Sequence, residues 1–342
     1  MKRTRGKQVQ GRASILDVAA RAGVAAMTVS RVLNGAKGVA PATRAKVQTA
    51  IEELGYVPNA LARGLLTGRT RTIGLLVNDI SNPYWIAVAS GAEDVVHRAG
   101  STLVLGNIAD SAQKEQLLIR AMLSQRVDGL LINTSFREPL LQLIHNDYPF
   151  VLIGPEHKGL RADVVRGDVS LGARMLTELF LSKGHRRIAL LNGPRFDFES
   201  QEREKSYRQT LAEAGITPMP QWVREGTYGF RGGLAQATEL LIIPEAERPT
   251  AIVASNNFLA LSVIEAARAL GRLIPSDVAL AGFDDFVLAS IIDPFLTVVA
   301  QPARGLGSQA AQLLLNRITN PGSWSPANLI SKPELIIRRS SG

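Results

Sequence analysis

The sequence predicts an all-α head followed by an α/β body, the body built from two parallel sheets. Three observations carry that prediction. Charge is partitioned: residues 1–71 hold 13 of the 39 Lys and Arg but only 3 of the 30 Asp and Glu, leaving the rest of the chain near neutral at 26 against 27. Helical patterning, with no run of strand character, fills residues 14–56. From Ile73 onward, apolar runs of strand length alternate with amphipathic segments of helix length. A basic head on a neutral body points to a polyanionic partner for the head and a separate task for the body.

The elements follow in order. Residues 1–12, MKRTRGKQVQGR, are basic and patternless and read as a disordered arm. Ser14 and Asp17 have capping-box spacing, so a first helix starts there and runs to Ala22. Gly23 ends it as a residue that takes positive φ. A second helix covers Ala26 to Leu33 and stops at Asn34-Gly35. A third starts at Pro41, a favoured first helical residue, buries Val47, Ile51 and Leu54, and ends at Gly55. A short helical stretch follows from Ala60 to Leu66. Beyond it the strand candidates are TIGLLV, TLVLGN, GLLINT, FVLIG, RIALLNG, AIVASN, VALAGF and LTVVA. Apolar strands alternating with helices imply parallel sheets covered on both faces.

Composition bounds the function. The 342 residues suffice for two or three domains, and no run approaches the ~18 apolar residues of a membrane span. The basic start is followed by no apolar stretch and is not read as an export signal. Cysteine is absent, which removes disulfides and thiol chemistry and fits a cytoplasmic protein. The four histidines are scattered, so no metal site and no cofactor are expected. No P-loop, HExxH or GxSxG pattern occurs, which argues against an enzyme. Residues 305–310, GLGSQA, fit a dinucleotide fingerprint after a strand. They lack room for a full βαβ unit and an acid about twenty residues on, so their small side chains are expected to serve close helix packing.

Residues 14–35 satisfy the demands of a helix-turn-helix. Ala19 is small at the helix crossing, Gly23 occupies the turn, and Val24, Val29 and Val32 face inward. ILDVAARAGVAAMTVSRVLNG and TRAKVQTAIEELGYVPNALARGL, with TRTIGLLVNDISNPYW, SKGHRRIALLNGP, ASNNFLAL, GFDD and LTVVAQP further on, resemble the lactose-repressor/galactose-repressor family over residues 14–339. The resemblance implies a homodimeric transcriptional regulator, usually a repressor. It divides the chain into a basic arm (1–12), a helix-turn-helix DNA-binding domain (13–58), a hinge helix and linker (59–71), and a two-lobed periplasmic-binding-protein-like domain (72–342) that binds a small effector and dimerises. A periplasmic solute-binding protein would share the body but has no use for a basic helical head.

The same resemblance assigns positions. Ala25, Ala26, Met27 and Arg31 fall where the family's second helix meets base edges, with Thr28 and Ser30 placed for phosphate. The chain departs from the family here, since many relatives carry polar residues at the first three. Alanine and methionine make no bidentate hydrogen bonds and offer only apolar contact with a thymine methyl. Arg31 remains a candidate for a guanine edge. Hinge positions Asn59, Ala62 and Leu65 are expected in the minor groove, with Leu65 as the wedge that bends the duplex, so part of the readout shifts to DNA shape.

In the body the resemblance nominates Arg203, Tyr228, Asn256 and Asp284, with Tyr84, Trp85 and Asp197, as effector contacts. Ser206 stands where relatives usually have glycine. Phe230, Phe258 and Gln301 are weaker candidates. An arginine, a carboxylate, an amide and flat aromatics suit a sugar, sugar acid or polyol; aromatic faces also suit a purine.

Overall fold

The computed structural model describes residues 13–56, 69–291, 295–322 and 325–342, apart from single positions 34, 37, 110, 146 and 158. The chain divides into two compact units, Met1–Thr70 and Arg71–Gly342.

The head unit contains α1 (Ile15–Ala22), α2 (Ala26–Leu33) and α3 (Pro41–Leu54). Its capping box is formed: the Ser14 amide donates to Asp17 at 2.8 Å and the Asp17 amide to Ser14 Oγ at 3.3 Å. Gly23 turns the chain at φ +64°, and a Cβ there would meet nothing, so the glycine serves conformation rather than space. Val18, Ala19, Val29, Val32, Val47 and Ala50 form the core. One expectation is corrected. Ala50 takes the inward place, Ile51 is half-buried against the core, and Leu54 is 36% exposed. Small Ala50 lets α3 approach its neighbours closely, and the apolar face runs out of partner before the helix's last residue.

The body unit folds as two lobes. Lobe 1 is a six-stranded sheet of order β11-β5-β4-β3-β1-β2. Its strands are β1 (Thr72–Val77), β2 (Thr102–Asn107), β3 (Gly129–Ile132), β4 (Phe150–Ile153), β5 (Asp163–Gly167) and β11 (Asn328–Ser331). Between them come α4 (Pro83–Arg98), α5 (Ala112–Ser124) and α6 (Glu138–His145). Lobe 2 is a second six-stranded sheet of order β12-β10-β9-β8-β6-β7. It comprises β6 (Ile188–Asn192), β7 (Val223–Glu225), β8 (Ala251–Ala254), β9 (Ala279–Phe283), β10 (Thr297–Ala300) and β12 (Glu334–Ile336). Its helices are α7 (Val169–Ser182), α8 (Phe198–Glu213), α9 (Leu234–Ile242) and α10 (Asn257–Ala269).

All eight sequence-read strands are present. The four not foreseen, β5, β7, β11 and β12, are short or interrupted by charge, as in DVVRG and VRE. The sheets also depart from the expectation in two places. β12 runs antiparallel to β10, and β2 is an edge strand with Leu105 46% exposed rather than covered on both faces.

The chain passes between lobes three times. β5 of lobe 1 leads into α7 on lobe 2, β10 of lobe 2 leads into α11 (Ala303–Thr319) on lobe 1, and Lys332-Pro333 joins β11 to β12. The first two passages touch, because a Cβ on Gly167 would overlap the Gln301 amide. α11 returns to lobe 1 and packs on α4 with almost no gap. A Cβ on Gly307 would run into the Val88 carbonyl, and one on Gly91 into the Arg304 carbonyl. Ser308 Oγ donates to Gly91 O at 2.9 Å. The glycine-rich 305–310 segment thus serves helix packing, as its small side chains suggest.

Candidate functional site: a reading helix and an inter-lobe cleft

In the head, α2 presents its front end outward. Ala25 and Arg31 are exposed, Met27 is 71% exposed, and Ala26, Thr28 and Ser30 are half-buried. Val29 and Val32, on the opposite side of the helix, are in the core, so burial fixes which face is free. Arg44 of α3 donates to Ala36 O at 3.1 Å and ties down the segment after α2. Sequence reading does not single out Arg44, since a lone arginine on a basic head gives no sign of an inward task. Asn59, Ala62 and Leu65 lie outside the described residues.

In the body, all seven effector candidates, Tyr84, Trp85, Asp197, Arg203, Tyr228, Asn256 and Asp284, line one cavity of about 60 Å³ between the lobes. Three helix starts converge on it. Asn82 caps α4 from lobe 1 through Tyr84 N–H at 2.9 Å. Asp197 caps α8 through Ser200 N–H and Asn256 caps α10 through Leu259 N–H, both at 2.8 Å from lobe 2. These ends direct helix-start N–H groups and the positive ends of the helix dipoles toward the cavity.

The polar groups are bonded to one another. Arg203, 3% exposed, donates from one terminal nitrogen to Tyr228 Oη and from the other to Glu199 Oε2, both at 2.9 Å. Its guanidinium stacks over Phe283, 4.8 Å from the ring centroid. Burial opposes the Arg203 charge, but Tyr228, Glu199, Asp284 and Asp197 outweigh it and raise the pKa. Asp197 receives Ser135 Oγ at 2.8 Å and Tyr228 Oη at 3.0 Å besides its capping bond. Both ends of the Asn256 amide are engaged, the second with Tyr228 O at 3.1 Å. Asp197 and Asn256 therefore shape the cavity through structural bonds as well as lining it.

Asp284 differs. It follows β9 at φ +69°, a left-handed conformation that aspartate tolerates better than most residues. One carboxylate oxygen accepts from Gln301 Nε2 at 3.1 Å. Burial pushes its pKa up to about 6, while Arg203 pulls the other way. Burial likewise raises Glu199, against the pull of Arg203. Among the described residues, Arg203 Nε and Asn133 Oδ1 are buried at the cavity with no hydrogen-bond partner.

Of the weaker candidates, Gln301 lines the cavity and Phe230 and Phe258 do not. Phe258 is buried, 8% exposed, and Phe230, 64% exposed, packs edge-on against it. Sequence reading misses Asn78, Asp79, Asn82, Asn133, Pro155 and Glu199. The signal for Glu199 is present as its i,i+4 spacing to Arg203 on one helix.

Among the described residues, contacts between the lobes include Ser135 with Asp197, Asn257 Nδ2 donating to Asn82 Oδ1 at 2.9 Å, and Phe136 stacked on Phe196 at 6.1 Å. The cavity of about 60 Å³ is narrow and partly open to solvent. Among the described residues no cluster of His, Asp and Glu has a metal-binding arrangement, and no helix is long and apolar enough to cross a membrane.

Residues 14–59 match the model for bacterial regulatory proteins of the lacI family, and residues 177–341 match a periplasmic binding protein-like domain. The chain is 34% identical to the HTH-type transcriptional repressor PurR of Photobacterium profundum, over 96% of this chain and 98% of that protein. It resembles the structure of the transcriptional regulator CelR–cellobiose complex, with 33% identity, a TM-score of 0.72, and 96% and 100% of the two chains covered. It also resembles the lac repressor dimer bound to operator and the anti-inducer ONPF, with 26% identity, a TM-score of 0.84, and 97% and 99% covered.

Proposed function

The chain belongs to the lacI family of bacterial regulatory proteins and is a DNA-binding transcriptional repressor with an effector-binding domain, and on that premise we propose that its operator affinity is set by a hydroxyl-rich metabolite, a sugar, sugar acid or polyol, held between the two lobes. The observation that carries this reading is the convergence of Arg203, Asp284 and Tyr228 with Tyr84 and Trp85 on one cavity at the carboxyl ends of the parallel strands. Carboxylate and amide oxygens accept ligand hydroxyls, and the aromatic rings suit the C–H face of a sugar. That the similar CelR structure is a cellobiose complex supports the sugar reading. The flat rings of Tyr84, Trp85 and Tyr228 favour a purine as the second reading.

The repressor works in the cytoplasm as a homodimer on a near-palindromic operator, one head to each half-site, since two-fold protein symmetry is mirrored in the DNA. Arg31 and Met27 meet base edges, and Thr28 and Ser30 the phosphates. Seating a ligand separates or re-forms the Ser135–Asp197, Asn82–Asn257 and Phe136–Phe196 contacts and thereby changes how the lobes lie. A thermal-shift screen over sugars, sugar acids, polyols, nucleosides and purines tests the ligand class, because binding raises the melting temperature by mass action. Purine binding with every sugar, sugar acid and polyol silent overturns the ligand assignment. A mobility shift on DNA upstream of the gene, with and without the hit, tests the regulation.

A further inference from the structure

We infer that Glu199 sets the charge of the ligand: by engaging Arg203 inside the closed cleft it withholds the cavity's arginine from anions and restricts the effector to molecules without negative charge. The inference rests on the reading of the cleft as the effector site and narrows it, removing the sugar acids.

Glu199 and Arg203 lie one turn apart on α8, and Glu199 Oε2 accepts from a terminal nitrogen of Arg203 at 2.9 Å. The other terminal nitrogen is held by the Tyr228 hydroxyl at 2.9 Å, and the guanidinium face is covered by Phe283. A ligand carboxylate pairs best with arginine through two parallel hydrogen bonds on one edge of the fork. Here each terminal nitrogen already has one acceptor, one of them charged, which leaves Nε as the nitrogen without a partner.

The surroundings point the same way. Asp79, Asp197, Glu199 and Asp284 line the cavity with a single arginine among its lining residues. A ligand carboxylate would meet these four acidic side chains, and the like charges oppose its entry against the pull of the helix starts. Ligand O–H or N–H groups meet the opposite situation. Asn133 Oδ1 is buried without a donor, and Asp284, with one oxygen on Gln301, keeps the other available. Burial raises both Glu199 and Asp284 against the pull of Arg203. An ammonium group suits this acceptor-rich space better than a hydroxyl, so within one sugar scaffold the expected order is amino sugar, then neutral sugar, then sugar acid.

Glu199→Gln tests the assignment. The amide keeps the length and an acceptor for Arg203, removes one negative charge, and leaves Asp284 and Asp197 to balance the guanidinium, so the fold is expected to survive. Glu199→Ala provides a second variant that vacates the arginine edge. The probes are matched sets: glucose, glucosamine and glucuronate; galactose, galactosamine and galacturonate. Calorimetry on the full chain should show uronates silent or weakest on the wild type, and a gain of roughly tenfold or more in uronate affinity in either variant. A uronate that binds the wild type more tightly than its neutral partner overturns the proposal. So does a folded pair of variants with no gain for uronates while neutral sugars bind. If the wild type takes none of the probes but the variants take uronates, Glu199 is still the selector. Silence of all six probes on all three folded proteins overturns the selector for hexose ligands, while the wider effector reading stands or falls on the thermal-shift screen.

Discussion

Met27 on α2 is 71% exposed and Arg203 on α8 is 3% exposed, and the difference separates two ways of holding a binding site. The reading helix offers its front end to solvent, with Val29 and Val32 anchoring its other face in the core. The cleft holds its charged groups in a network made among themselves: Arg203 with Glu199 and Tyr228, Asp197 with Ser135 and Ser200, Asp284 with Gln301. An exposed site meets its partner with little desolvation and little preorganisation. A buried, prebonded one discriminates strongly, because a ligand that cannot replace the existing bonds leaves buried groups unmet.

The largest effect is expected from separating the two regions. A fragment from Thr72 to Gly342 contains both sheets and lacks the head, and it sheds the basic excess of residues 1–71. It should fold, dimerise and bind the ligand, and lose operator affinity altogether in a mobility shift. DNA binding by this fragment would end the division of labour.

The next effect is confined to the cleft. Asp284→Asn keeps a residue that tolerates positive φ and an oxygen for Gln301, but loses the charge offered to ligand donors. Ligand affinity should fall by about tenfold to a hundredfold, the size of one charge-assisted hydrogen bond, while operator affinity without ligand is unchanged. The same variant should stabilise the ligand-free body at pH 7. The native Asp284 pKa of about 6 lies above that of the unfolded chain, so the native state holds its proton longer and stability falls as pH rises from about 4 through 6. Asparagine removes that loss. Calorimetric titration and melting curves at pH 5 and 7 check both halves.

What the sequence makes legible follows the same contrast. The head can be read almost residue by residue, because capping boxes, turn glycines and inward valines are local signals. The inward place expected of Leu54 fails because it depends on where a neighbouring helix ends. In the body, the eight long apolar strands can be read. β7, VRE, cannot, since three half-buried residues carry no periodicity. For the cleft, the resemblance places seven residues on the cavity but says nothing of their bonds. That Asp197 and Asn256 double as helix caps, or that Asn133 aims an unpaired oxygen inward, is set by how the folded elements meet.

Glu115 lies outside both sites. It is fully buried on α5, accepts from Thr134 Oγ1 at 2.6 Å, and leaves its other oxygen without a partner among the described residues. Burial lifts its pKa to about 7. Its contribution therefore declines as pH rises from about 4.5 through 7 and is gone above that. Glu115→Gln should raise the melting transition of the body at pH 8, by the equivalent of about 2 kcal/mol, and change little at pH 4.5. A gain that is the same at both pH values would place the effect in packing rather than charge.

The smallest expected effects belong to the reading helix. Arg31→Ala should cost about 1–3 kcal/mol per half-site and relax the preference at one base position. Met27→Ala should cost less, under about 1 kcal/mol per half-site, since it removes only apolar contact. Its use lies in how the loss is distributed. If Met27 packs on a thymine methyl, replacing that thymine with uracil in the operator should weaken the wild type and leave Met27→Ala unaffected, so the two changes are not additive. Additive losses, or a Met27→Ala effect equal on operator and unrelated DNA, would mean that α2 reads nothing at its exposed front end. Sequence preference would then have to come from Arg31 and from the shape of the duplex.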